Sequence, residues 1–139
     1  MSQSEQKETI EELAASLEKI SQKKLKYEIV RHWFQGREPY FDLFVNTLHD
    51  TLVWFQFTFR GHSICWSQQD PIIRTGVTTD FALQDVSYYS ATKTVKLDEE
   101  IDPQFLAFCK KLAGCRATEE PFRSILKVLS SPPDLTANQ

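Results

Sequence analysis

From Val53 to Phe59 every second side chain is large and apolar: Val53, Phe55, Phe57 and Phe59 alternate with Trp54, Gln56 and Thr58. Successive strand side chains point to opposite faces, so this spacing describes a β-strand with one apolar face. Ten of the seventeen aromatic residues lie between Trp33 and Trp66. The core of any fold this chain adopts is therefore centred on that sheet.

Strands are expected at 27–34, 40–46, 52–59 and 62–67, with a turn over Gln35-Gly36-Arg37-Glu38-Pro39. The Arg60-Gly61 link predicts a tight hairpin, which sets Phe59 opposite His62, Phe57 opposite Ile64 and Phe55 opposite Trp66. An odd-length loop centred on His49 would pair Phe41 with Phe57, Leu43 with Phe55 and Val45 with Val53. A one-residue slip exchanges the two faces, so burial selects that parity. One face then carries Phe41, Leu43, Val45, Val53, Phe55, Phe57, Phe59, Ile64 and Trp66. The other is mixed and carries Tyr40, Asp42, Phe44, Asn46, Trp54, Gln56, Thr58, Ser63, Cys65 and Ser67.

The apolar stripe Ile10, Leu13, Leu17 and Ile20 predicts a helix over about residues 5–22, with Glu leading and Lys19, Lys23 and Lys24 closing it. At the other end, Asp102-Pro103 reads as an N-cap with proline at the first helical position. The stripe Phe105, Leu106, Phe108, Cys109 and Leu112 follows, with Gly114 suited to the C-cap. Thr118 would cap a last helix bearing Phe122, Ile125, Leu126 and Leu129. Ile72-Ile73 reads as a short edge strand, and residues 80–96 fit no single period. The expected fold is α+β: an N-terminal helix, an antiparallel meander of four to five strands, and two C-terminal helices packed on one sheet face. Residues 1–131 are expected to form one domain, with 132–139 a disordered tail.

Length and composition are those of a globular domain. The net charge of −3 is spread evenly, and no basic stripe is present to neutralise phosphates, so nucleic acid is not an expected partner. No apolar run approaches the roughly 20 residues that a spanning helix needs. Three cysteines at unpatterned spacing argue against a disulfide framework and for a reducing, cytoplasmic location.

Catalytic patterns do not emerge. His32, His49 and His62 fall at different ends of the proposed meander, which disfavours a three-histidine metal site. Cys65 and His62 point to opposite faces, which disfavours a thiolate–imidazole pair. No cofactor is implied. Two readings follow. In the first, the chain is a non-enzymatic protein-binding or adaptor module in the cytoplasm. It docks another protein or its own copy, as a homodimer, through Tyr40, Asp42, Phe44, Trp54, Gln56 and Thr58, with Phe44 and Trp54 as cross-strand neighbours. In the second, Arg31, His32, Arg37, Arg60 and His62 converge near Gly36 and Gly61 and hold an anionic small molecule, with or without catalysis.

Overall fold

A computed structural model describes residues 8–78 and 95–131. Its element order is α1 (Ile10–Ser16), β1 (Glu18–Lys24), a single 3-10 turn (Lys26–Glu28), β2 (Ile29–Gln35), β3 (Asp42–Leu48), β4 (Thr51–Phe59), β5 (His62–Ser67), β6 (Asp70–Thr78), β7 (Val95–Leu97), α2 (Pro103–Gly114) and α3 (Phe122–Ser130). The seven strands form one antiparallel sheet in chain order, each beside its predecessor. The α+β class stands, but the meander has seven strands rather than four to five.

The N-terminal segment departs most from expectation. Thr9 and Glu12 form a reciprocal capping box that starts α1 at Ile10, and the helix ends at Ser16. Leu17 is extended (φ −73°, ψ 115°) and buried, and Glu18–Lys24 continue as β1 rather than as helix. The sequence shows why. Beyond Leu17 the only large apolar residue before Leu25 is Ile20, which gives a longer helix nothing further to bury. As a strand the same residues satisfy their backbone against β2. Tertiary pairing overrides the helical spacing here.

The edges of β2 and β3 lie one or two residues later than expected, because left-handed residues interrupt the chain before each. Tyr27 and Glu28 (φ 62° and 65°) precede β2, and Tyr40 (φ 61°) precedes β3. Residues Ile72 and Ile73 belong to β6, which has β5 on one side and β7 on the other. Of the ambiguous 80–96 stretch, residues 95 and 96 fall in β7, and the rest lies outside the described residues, as does the 132–139 tail.

The β4–β5 hairpin has the expected register, with Phe59, Phe57 and Phe55 opposite His62, Ile64 and Trp66. Arg60 (φ 49°) and Gly61 (φ 86°) supply the two positive φ angles of a hairpin turn matched to strand twist. The β3–β4 hairpin reaches the expected faces by another route. Its loop is the two-residue turn His49-Asp50, both with positive φ, and not an odd-length loop. Left alone, that parity would turn Phe55 and Phe57 away from the core. A bulge corrects it: Thr47 pairs with Leu52 and Asn46 with Trp54, which leaves Val53 as the extra residue. Leu43 therefore faces Phe57, and Val45 faces Phe55. Val53 leaves the core face, and its carbonyl accepts the Gln68 N–H at 2.9 Å.

The three described helices bury their apolar sides against one sheet face. Leu13 and Leu17 of α1, Phe105, Cys109 and Leu112 of α2, and Phe122, Ile125 and Leu129 of α3 meet Phe34, Leu43, Val45, Phe55, Phe57 and Ile64. Ring contacts organise this layer. Phe41 packs edge-on to Phe59 (4.8 Å between centroids), Phe59 stacks on Phe108 (4.9 Å) and Phe34 meets Phe122 edge-on (5.6 Å). Gly36 is required for this packing, because a β-carbon there would lie 2.1 Å from the Phe41 ring.

Two polar devices fix the helices. The Asp102 side chain accepts the N–H groups of Gln104 and Phe105, as the Asp-Pro pair implied. Arg116, just after α2, donates to the Ala14 and Leu17 carbonyls (2.8 and 2.6 Å) and lies 4.3 Å over the Phe122 ring. Gly114 is the last residue of α2 rather than its cap, which is Cys115 in the right-handed region. The last helix starts at Phe122, after Pro121, and Thr118 does not cap it. Instead the Glu120 carboxylate accepts from the backbone N–H and hydroxyl of Ser124.

Candidate functional site

The sheet face opposite the helices is the mixed face read from the alternation. Strand register arranges it in three rows that run across the strands. The first holds Arg31, Asn46, Trp54 and Ser67, the second Trp33, Phe44, Gln56, Cys65 and Arg74, and the third Gln35, Asp42, Thr58, Ser63 and Gly76. The first row lies toward the His49-Asp50 turn and the third toward the Arg60-Gly61 turn.

Residues of β2 give this face its structure. The odd positions Arg31 and Trp33 point to it, while Val30, His32 and Phe34 share the face of the helices. Trp33 stacks on Phe44, with ring centroids 5.7 Å apart and planes 8° from parallel. Its indole N–H donates to Asp42 Oδ1 at 3.0 Å. Arg31 donates through Nε to Asn46 Oδ1 at 2.9 Å, and its guanidinium lies 5.1 Å from the Trp54 ring centroid. Partial burial pushes the Arg31 pKa down. Two tryptophans are thus held in place, one by a carboxylate and a stacked phenylalanine, the other beneath a cation.

Accessibility differs along the face. Asp42 and Phe44 are each 4% exposed, and Thr58 and Ser63 are also buried. Trp33, Arg31, Trp54, Gln56 and Cys65 are partly accessible, and Tyr40 is 37% exposed at its left-handed bend. Of the six residues read as an interface, Tyr40, Trp54 and Gln56 reach solvent, whereas Asp42, Phe44 and Thr58 are buried. Phe44 and Trp54 are not cross-strand neighbours. Phe44 faces Gln56 and Trp54 faces Asn46, because the two-residue turn and the Val53 bulge each move the register by one residue. Trp33, absent from the expected set, takes the place beside Phe44. The signal for it was present in β2, where Phe34 carries the apolar alternation and sends its odd neighbours to the other face.

The five residues read as an anion site do not converge. Arg31 sits in the first row of the mixed face. His32 is on the helix face, with a ring nitrogen 3.0 Å from Thr47 Oγ1, and burial, with help from Lys19, pushes its pKa down. Arg37, Arg60 and His62 do lie toward the Gly36 and Gly61 end. There Arg60 makes a two-pronged ion pair with Glu38 (2.9 and 2.8 Å) and covers the Phe59 ring, while Arg37 pairs with Glu8. The hydrogen bond from Arg60 holds the Glu38 carboxyl below its ordinary pKa. His62 is exposed and packs by Phe105, 5.3 Å between ring centroids. Both arginines at this end thus already have carboxylate partners.

Among the described residues no group of three or more His, Cys, Asp or Glu is placed to hold a metal ion, and no helix is long and apolar enough to cross a membrane. Cys65 faces Gln56 and Arg74, and burial raises its pKa, which disfavours the thiolate. Comparison with protein-family models, curated proteins and solved structures gives no match for this chain.

Proposed function

We propose that the chain is a small, non-enzymatic protein-binding or adaptor module that works in the cytosol. It docks a protein partner, or a second copy of itself, on the sheet face opposite the described helices. The observation that carries this reading is the partly accessible set Trp33, Trp54 and Arg31, on a face that no described helix covers, with exposed Tyr40 at the bend that leads into β3. Trp, Tyr and Arg dominate interface hot spots because they bring large contact areas and directed hydrogen bonds at low ordering cost. Here the two indoles and the guanidinium are already ordered by Asp42, Phe44 and Asn46, which lowers the entropy cost of docking. The three unpaired cysteines suit a reducing compartment. The anionic-ligand alternative is the weaker reading, since its five residues are spread over both sheet faces.

Light scattering on wild type and Trp54→Ser tests the self-association form. A wild-type dimer that becomes a folded monomer on substitution supports the docking face. Trp54→Ser that unfolds a monomer would make this face part of the core and remove the proposal.

A further inference from the structure

We propose that the outer edge of β1 is a docking edge for an extended, acidic segment of another protein, which joins the sheet as an additional strand. β1 ends the strand order and pairs, among the described residues, with β2 alone. All seven of its residues are exposed. A strand at the margin of a sheet presents a row of backbone N–H and C=O groups to whatever lies beside it. Such an edge recognises extended chain by main-chain hydrogen bonds, and flanking side chains decide which chain.

The flanking side chains here are basic. β1 holds Lys19, Lys23 and Lys24 against Glu18 alone, a net charge of +2 in a chain whose total is −3. Register against β2 distributes them over both faces of the sheet. Lys23 lies on the side of Arg31 and Trp33, and Lys19 and Lys24 on the side of Phe34 and Val30. An incoming strand therefore meets ammonium groups on either face. Lysines on an edge deter pairing with a like-charged strand, so a second copy of β1 is disfavoured. The same lysines attract carboxylates, which makes one arrangement both a barrier and a selector. Ile20, half exposed at the irregularity between Lys19 and Ser21, adds an apolar contact.

This inference does not depend on the tryptophan face, since Trp54 lies on β4. The test is an NMR titration of the full chain with a short capped peptide that alternates glutamate with valine, and with the same peptide carrying lysine in place of glutamate. Saturable shifts and slowed exchange confined to the Glu18–Lys24 amides and their neighbours on β2 are expected with the glutamate peptide alone. Lys19→Glu/Lys23→Glu/Lys24→Glu should weaken that binding by about tenfold or more, because several cross-strand pairs turn from attractive to repulsive. Lys19→Gln/Lys23→Gln/Lys24→Gln, which removes charge without reversing it, should fall between. Equal binding of both peptides, shifts elsewhere on the sheet, or a glutamine variant that binds like wild type would overturn the proposal. So would a wild-type dimer whose β1 amides are already protected.

Discussion

Trp33 reaches diagonally across the β2–β3 ladder to Asp42, where its indole N–H donates to a carboxylate oxygen at 3.0 Å. Asp42 is almost fully buried, so this bond sits where an unsatisfied donor or acceptor is expensive. Asp42→Ala strands the indole N–H and should cost about 1–3 kcal/mol. Asp42→Asn keeps an acceptor and should cost less. Urea midpoints of the two variants check the order, and equal losses would show that the indole bond contributes nothing.

The glycines Gly36 and Gly114 should respond oppositely to the same change. At Gly36 a new β-carbon collides with the Phe41 ring, and Gly36→Ala should cost about 1–3 kcal/mol through overpacking. At Gly114 a β-carbon meets open space at the end of a helix. Gly114→Ala should stabilise by up to about 1 kcal/mol, by restricting the unfolded chain and favouring the helix. Thermal unfolding of the two single variants decides the sign of each.

The bulge on β4 predicts that its extra residue can be removed without exchanging the two faces. Deleting Val53 while the His49-Asp50 turn stays in place leaves Thr47 opposite Leu52, Asn46 opposite Trp54 and Val45 opposite Phe55, so every side chain keeps its face. That variant should still unfold cooperatively, although it loses the bond from Gln68 to the Val53 carbonyl. Val53→Ala, at a half-buried position outside the core, should cost no more than about 1.5 kcal/mol, whereas Phe55→Ala should cost about 3–5 kcal/mol. A deletion variant that loses its native near-UV circular dichroism would show that Val53 is not the extra residue of the ladder.

Arg116 joins α1 to the C-terminal helices through two carbonyls and the face of Phe122. Arg116→Ala should cost about 1.5–3 kcal/mol, in the range for hydrogen bonds from a charged donor. Arg116→Lys should recover only part of that loss, because an ammonium lacks the planar fork. Hydrogen exchange should show α1 amides opening first in the alanine variant.

Acid should weaken the Glu38–Arg60 pair. The folded-state pKa of Glu38 is depressed, chiefly by the Arg60 hydrogen bond. Its contribution is therefore complete at neutral pH and is lost as pH falls through that lowered value. The pair is solvent-accessible, so the effect should stay within about 1 kcal/mol. Measured against Glu38→Gln, the wild-type advantage in Tm should shrink on acidification below the ordinary carboxylate range. A gap that is constant with pH would show that the pair is energetically silent.

How far the sequence could be read depended on burial. In β4 and β5 one face is packed, so alternation carried the register, and the pairs Phe57–Ile64 and Phe55–Trp66 followed from a two-residue turn. The faces of β3 and β4 were legible for the same reason, but their pairing was not, since burial fixes parity and is blind to a shift of two. β1 lacks that constraint. Its residues are all exposed, and the helical spacing of Leu17 and Ile20 had nothing to overrule it until β2 offered backbone partners. The mixed face was legible as a composition, through Tyr40, Trp54 and Gln56. Trp33 was not, because Arg31 beside it obscured which side of β2 faces the helices. The arginine grouping is divided by strand alternation, which sends Arg31 and His32 to opposite faces, and the partner of Arg37 is Glu8, which no local spacing reveals.

The order of the meander bears on how the protein is made. A ribosome delivers β4 and β5 before α2 and α3, so Phe55, Phe57, Phe59 and Ile64 leave the exit tunnel ahead of the helices that cover them. Each hairpin can close as it emerges, yet α1 is the one described helix that can cover the aromatic layer until α2 and α3 follow. The Arg116 clamp back to Ala14 and Leu17 can form only after α2. Until then the nascent chain is a sheet with a largely bare aromatic face, the stage of its life when a chaperone has the most to hold.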